Sequence, residues 1–350
     1  MDKNTTTILP FSMRYYSEKN PKRCPGRTNY PAPTRPNIIK KPPVLTYPAL
    51  KCILEFIDVT KRLNITARTK SLKIIDKSIP LRLPTLQLCS DRIIIHNLGI
   101  RSVLQYRVDI FYKDQYVKGG MVSFSKIEAM RRVFKYYLGD RSNIYVDSIV
   151  FEEQVRNLLP PELNFTINKL ETHHCSFGEF LPVINPNSFP LRKLSMVYPE
   201  ILSNLTLDHP IVHSAGHLYL NVGTRGDQSP MSEIQKLHNK SAFIKSISMK
   251  SDDCVKIIRY WMENGKEVGT KFIFTFYLPN CIVPMIKALQ EPFEEFQDKL
   301  EGLNERRFIA GLPRFAIPIN NHSAVILAYT IFAMVDRRRE ARIVLNVVST

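Results

Sequence analysis

The chain has 350 residues, of which 44% are hydrophobic and 23% are charged, the proportions of a globular protein with a buried core. Its longest apolar run, residues 324–335, is shorter than the ~20 residues that span a bilayer, and residues 1–10 lack the pattern of a secretory signal. Its six scattered cysteines contain no C-x-x-C pair, which excludes a zinc ribbon or disulfide framework and predicts a soluble intracellular protein, cytoplasmic or nuclear.

The net charge of +17 lies almost entirely in the N-terminal part of the chain. Residues 1–44 carry +7, residues 45–140 carry +9 and residues 141–350 carry +1. Such asymmetry fits a nucleic acid, an anionic lipid or an acidic protein as partner and does not choose among them. Because residues 1–44 also hold eight prolines and few large aliphatic residues, they are predicted to form a disordered basic tail.

Residues 45–80 are predicted to form a short helical segment. The apolar residues at helical spacing are Leu50, Ile53, Leu54 and Ile57. Pro48 stands where a first-turn proline is tolerated, and Pro80 and Pro84 close the segment. Two shorter amphipathic pieces between these limits complete a block of three helices.

Residues 81–350 are predicted to form a strand-rich α+β region, with a division near position 280. Alternating apolar residues indicate strands at 86–88, 93–95 and 106–112. A helix over 126–138 follows from the capping pair Ser125 and Glu128, with an apolar stripe of Ile127, Met130, Phe134 and Tyr137. A second helix begins after Ser251 and ends at Gly265.

Three segments share the pattern L-x-x-L-x-L, beginning at Leu191, Ala215 and Ile244. Their spacing approaches the ~20–29 residue period of leucine-rich repeats, although no asparagine ladder accompanies them. The pattern therefore predicts an irregular leucine-rich-repeat-like arrangement. After it, β-branched runs at 324–332 and 343–348 predict a C-terminal hairpin, with Arg337–Arg339 in its charged turn.

The sequence offers no recognisable catalytic motif, no phosphate-binding loop and no cofactor motif. His209, His213 and His217 are regularly spaced, at an interval that could hold zinc on a helix. Pro210 and Gly216 interrupt that segment, so loop and strand-edge histidines are the favoured interpretation. We therefore expect a protein that is not an enzyme and has no metal or cofactor.

Residues 47–76, which include Pro48, Leu54-Glu55-Phe56-Ile57-Asp58 and Leu72–Ile75, resemble an F-box. The wider chain is similar to a nematode-expanded family of uncharacterised F-box-like proteins, through residues 77–83 and 258–270. The resemblance implies docking on a Skp-type adaptor through Pro48, Leu50, Leu54 and Ile57. It also departs from the family, since the first helix is shorter and no tryptophan stands near Leu72.

Two functions remain open from the sequence. The first is a non-enzymatic protein–protein interaction module, a substrate-recognition subunit of a cullin-type ubiquitin ligase with a Skp-type adaptor and an unknown target as partners. The second is binding of nucleic acid or another polyanion through the basic region 1–140, where Arg131–Tyr137 interleaves basic and aromatic residues.

Overall fold

The computed structural model describes residues 47–350 apart from 104–105, 174, 199–206, 223–230, 247–248, 277–281, 299, 301–307 and 334–338. The predicted basic tail over residues 1–44 therefore lies outside the described residues. The chain divides into two compact units, Met1–Leu81 and Arg82–Thr350. The second unit includes residues on both sides of position 280.

The described part of the first unit consists of helices, α1 (Tyr47–Phe56), α2 (Val59–Thr66) and α3 (Lys70–Lys77). Local capping explains their limits. The Asp58 carboxylate accepts hydrogen bonds from the backbone amides of Thr60 and Lys61, and the Thr69 hydroxyl accepts one from Leu72. These side chains satisfy amide groups that a helix N-terminus otherwise leaves without partners.

A buried ion pair ties α2 to α3. The Arg62 Nε donates to the Asp76 carboxylate at 2.5 Å, and these side chains are only 4% and 2% exposed. The rest of the Arg62 guanidinium donates to the backbone carbonyls of Asp76, Ile79 and Pro80. One arginine thus connects the middle helix with the end of α3 and the turn that follows it.

The second unit is a mixed α/β structure built on one large sheet. Its strands are β1 (Leu81–Leu88), β2 (Arg92–Ile95), β3 (Leu98–Val103), β4 (Arg107–Tyr112), β5 (Gln115–Met121), β6 (Ile144–Glu152), β7 (Phe165–His173), β8 (Lys193–Tyr198), β9 (His217–Val222), β10 (Ser241–Ser246), β11 (Lys271–Phe276), β12 (Ala316–Asn320), β13 (Ser323–Ala333) and β14 (Arg339–Ser349). Its helices are α4 (Lys126–Tyr137), α5 (Pro210–Ser214), α6 (Met231–Ile234), α7 (Asp253–Asn264) and α8 (Ile282–Gln290).

The strand order is β12-β13-β14-β11-β10-β9-β8-β7-β6-β1-β2-β3-β4-β5. Strands β6 to β11 are neighbours in chain order and are parallel. Lys193 pairs with Lys169 on one side and with His217 on the other, so the chain advances equally from β7 to β8 and from β8 to β9. The two ends of the sheet are antiparallel, with β1 to β5 at one end and the predicted hairpin of β13 and β14 at the other.

The structure corrects the register of the third repeated segment. The pattern placed Ile244 at the first apolar position, equivalent to Leu191 and Ala215. In the sheet, Ile244 pairs with Leu220, the last apolar position of the preceding segment. The small residue Ala242 therefore occupies the position opposite Leu218, and Ile247 lies outside the described residues.

The two predicted helices are present, with differences in detail. Ser125 caps α4 by accepting from the Glu128 amide, whereas the Glu128 carboxylate pairs with Arg131 and Arg132. Ile127 was assigned to the buried stripe but is 58% exposed, because it lies on the outer side of the first turn. Gly265 ends α7 with a φ of +76°, a conformation that favours glycine.

Three further points concern Pro84, the arginine turn and membrane-spanning helices. Pro84 was expected to close the helical block but lies within β1, at an exposed position. Positions 334–338 of the predicted arginine turn lie outside the described residues, and Arg339 begins β14. None of the described helices is long and apolar enough to cross a membrane.

Candidate functional site

The residues predicted to bind an adaptor have different environments in the helical unit. Pro48 is exposed, Leu50 and Ile57 are half-buried, and Leu54 is only 1% exposed. Leu54 therefore belongs to the core, and any contact it makes with a partner requires the unit to open. The assignment of these residues to adaptor binding stays a prediction.

The helical unit nevertheless exposes large apolar side chains elsewhere. Phe56 is 84% exposed, and Ile53, one turn earlier on the same face of α1, is 45% exposed. Ile74 on α3 is 64% exposed, and α1 contacts α3. Single exposed apolar residues are common in globular proteins, but a phenylalanine and an isoleucine side by side on one short helix form a candidate docking surface.

The two faces of the parallel sheet differ sharply. Alternate side chains point into the core, where Leu194, Leu218 and Phe272 are at most 1% exposed. Trp261 of α7 packs against Phe272 with their ring centroids 5.1 Å apart, so this helix covers the core face. We call the opposite side the open face, defined by the outward side chains of β8, β9, β10, β11 and β14 that the structure describes.

An apolar row crosses the middle of the open face. Register pairs Tyr219 with Phe243, Phe243 with Ile273, and Ile273 with Val344, and all these side chains remain half-exposed. The rings of Tyr219 and Phe243 stack at a centroid distance of 4.8 Å and an angle of 9°. Because Tyr219 and Phe243 are paired residues on neighbouring strands, the backbone hydrogen bonds between these strands hold the two rings side by side.

A cation lies near each ring of this stack. The Lys193 Nζ is 5.5 Å from the Tyr219 centroid, and the Arg342 guanidinium is 5.9 Å from the Phe243 centroid. Since β8 and β14 lie on opposite sides of β9 and β10 in the sheet, the two cations approach the aromatic pair from opposite sides. The arrangement keeps both charges beside an apolar surface.

Cations flank the apolar row on both sides. Lys193 and Lys271 lie two positions before it along their strands, and Lys245 lies two positions after it. Arg342 pairs with Thr275 and so joins Lys245 on the same side. We call these four residues the basic flank. The result is a strip of apolar surface between two lines of positive charge.

The three regularly spaced histidines lie in different local structures. The His209 Nδ1 accepts from the Ile211 amide at the start of α5, His213 lies within α5, and His217 begins β9. In the part of the chain that the structure describes, no group of three histidine, cysteine or carboxylate side chains is arranged to hold a metal ion.

One lysine is partly buried beside α7. The Lys266 amine donates to the Leu237 carbonyl and lies near the rings of Trp261 and Phe272. Burial lowers the pKa of Lys266 to about 8. The amine links the end of α7 to the segment before β10, in a cleft of about 420 Å³ that also contains His238 and Glu267.

The basic and aromatic residues of α4 have different environments. Phe134 is fully buried, whereas Tyr136 and Tyr137 are half-buried and pack edge to face with their ring centroids 4.9 Å apart. Arg131 and Arg132 both pair with Glu128, at 3.2 and 2.6 Å. Phe134 therefore packs in the core, and both arginines already have an acidic partner.

Sequence reasoning overlooked the open face. Tyr219 lies within the second repeated segment and Phe243 immediately before the third as predicted, and neither belongs to a motif, so neither attracts attention alone. The constant offset between repeated segments was visible at Leu194 and Leu218. Applying the same spacing to Tyr219, without requiring a leucine at each position, leads to Phe243 and would have put the two rings side by side.

Comparison with known proteins gives a family for one part of the chain. No curated protein and no solved structure matches it significantly. One family does match, and its region runs from α4 to the end of β11, so it includes Lys193, Tyr219 and Phe243 but not Arg342. Residues 127–277 are accordingly a DUF3557 domain, a domain of unknown function.

Proposed function

We propose that the chain is a non-enzymatic protein-recognition subunit. In this proposal the helical unit docks on a Skp-type adaptor of a cullin-type ubiquitin ligase, and the repeat-like parallel sheet binds a target. The observation that carries the adaptor half is the pair Ile53 and Phe56, exposed together on α1. Burying such side chains against a partner is favourable by about 25 cal/mol per Å² of apolar surface.

The proposal moves the docking surface within the F-box-like segment. Ile53 and Phe56 replace Leu54 as the central contacts, because Leu54 is already buried in the free protein. Pro48, in the first turn of α1, and Ile57, just after its last residue, remain at the margins of this surface. The leucine-rich-repeat-like character belongs to this proposal too, supported by consecutive parallel strands that follow one another at an equal offset along the chain.

The alternative of nucleic-acid binding through the basic region 1–140 receives less support. In the described part of that region, Arg131 and Arg132 are paired with Glu128, and Arg107 is paired with Asp109. Cations engaged in this way lose an existing partner when they contact a phosphate.

Co-purification with a Skp-type adaptor tests the proposal. The full chain should retain the adaptor at moderate salt, and Phe56→Ser should abolish retention. Glu55→Ser is the matched control, because Glu55 is an exposed neighbour on the same helix. Leu54→Asp is unsuitable, since a buried carboxylate would unfold the unit.

Absence of adaptor binding by the folded wild-type chain would refute the proposal. So would equal retention by the Phe56→Ser variant and the wild type. Circular dichroism spectra of both variants establish that the helical unit is intact.

A further inference from the structure

The protein holds the Lys266 amine in a defined position at one side of the cleft. Its Nζ donates to the Leu237 carbonyl and lies 5.4 Å from the ring centroid of Trp261 and 5.1 Å from that of Phe272. Both rings are fully buried, so the amine has an apolar wall behind it. An uncharged amine makes the same donation with one of its two hydrogens, and its lone pair stays available for reaction.

The environment of Lys266 favours the uncharged amine. Burial lowers its pKa to about 8, and Glu267 acts in the opposite direction. The Glu267 carboxylate is 73% exposed and lies 3.6 Å from the Lys240 Nζ, so it compensates only weakly for the burial. With this pKa about one amine in ten is uncharged at pH 7, against about one in three thousand for an ordinary lysine. A desolvated lysine of this kind is an activated nucleophile.

We propose that Lys266 is an acylation site, at which the amine in its cleft accepts a short acyl group from an acyl thioester. The amine lone pair attacks the thioester carbonyl carbon, the new C–N bond forms as the C–S bond breaks, and the sulfur leaves as a thiolate. The nitrogen releases one proton, which neutralises the thiolate, so the products are an amide and a thiol. The proposal goes beyond the ligase role and does not depend on it.

The acylated side chain suits the cleft better than the charged one. The amide N–H can still donate to the Leu237 carbonyl, and no charge is left in the half-buried position. The cleft has a volume of about 420 Å³, which leaves room for a short acyl chain whose carbon groups are each close in size to a water molecule of about 30 Å³. A lysine that served only to link α7 to the segment before β10 would react no faster than an exposed lysine.

Competitive acylation of the full chain tests the proposal. The probe is the acetyl thioester of N-acetylcysteamine, and mass spectrometry of chymotryptic peptides measures the rate at each lysine. We expect Lys266 to be acetylated at least about tenfold faster than Lys287, an exposed lysine of α8, and the two rates to become equal in concentrated urea. Equal rates in the folded chain, or a ratio that urea leaves unchanged, would overturn the proposal.

The pH dependence of the same reaction identifies the reacting group. The rate at Lys266 should level off above about pH 8, whereas the rate at an ordinary lysine keeps rising beyond about pH 9. The titratable groups that face Lys266 are Lys236, His238 and Glu267 in the cleft and His213 of α5. Histidine and glutamate ordinarily titrate below this range and lysine above it, so a plateau near pH 8 reports on Lys266 itself. A rate at Lys266 that still rises beyond about pH 9 would overturn the proposal.

Trp261, the single tryptophan, gives an optical signal for the modification. Because the amine lies 5.4 Å from its ring, conversion of the ammonium into an amide should change the indole emission in step with acetylation of Lys266. Lys266→Arg should show no such change, and the matched control Lys287→Arg should respond like the wild type. An equal response in Lys266→Arg would show that other lysines cause it and would overturn the proposal. Should Lys266→Arg fail to fold, the rate comparison in the wild type decides.

Discussion

The buried Arg62–Asp76 pair sets the stability of the helical unit, and Arg62→Met tests this directly. Both side chains are almost fully removed from solvent, and the guanidinium also satisfies carbonyls of Asp76, Ile79 and Pro80. Removing one partner of a buried pair costs about 3–5 kcal/mol, because the remaining charge is left without a counter-ion. We expect Arg62→Met to lower the free energy of unfolding of the helical unit by about 4 kcal/mol.

The second variant separates charge from packing. Arg62→Met/Asp76→Leu leaves no charge buried, so we expect it to recover about half of the loss. Arg68→Met, at another arginine of the same unit, should cost less than about 0.5 kcal/mol. Urea unfolding followed by far-UV circular dichroism measures all three. The single tryptophan, Trp261, reports on the second unit in the same experiment.

A loss below about 1 kcal/mol for Arg62→Met would refute the reasoning, since it would mean that the pair contributes no more than a surface contact. A double variant no more stable than Arg62→Met would show that the carbonyl contacts, and not the charge, dominate.

Two further predictions concern the end of α7. Gly265 has a φ of +76° and a ψ of 162°, a region of backbone conformation open almost only to glycine. Gly265→Ala should therefore destabilise the second unit by about 2 kcal/mol, measured by urea unfolding with Trp261 emission. An unchanged unfolding midpoint would contradict this prediction. The pKa of Lys266 is about 8 when folded and 10.5 as its ordinary value, so the unfolded chain binds the proton more readily between these limits. Stability should therefore rise with pH across this window in the wild type and rise less in Lys266→Met, and equal pH profiles would argue against it.

Local signals predicted much of the fold. The cap at Ser125 and the glycine at position 265 mark where α4 begins and where α7 ends, and β-branched runs mark the hairpin of β13 and β14. These features depend on residues that are close together in the sequence, so a sequence pattern can predict them. Ile127 was misplaced because a first-turn residue can satisfy the helical period and still point to solvent.

Long-range features were less accessible. Arg62 and Asp76 lie on different helices, and nothing in their local sequence indicates that they meet. Ala242 is too small to mark a strand, so the larger Ile247 and Met249 drew the third repeat out of register. That single error concealed the pairing of Tyr219 with Phe243, on which the open face depends.

The position of β14 has a consequence for synthesis of the protein. Strands β7 to β11 each pair with the strand made just before, but β11 completes its second edge only with Ala341–Asn346 of β14, which are made after α8, β12 and β13. While the ribosome translates that interval, β11 presents an uncapped row of amides and carbonyls, the type of edge that invites mispairing between chains. An open edge at β11 therefore exposes the nascent protein to aggregation during this stage of translation, and a chaperone that covers the edge would limit it.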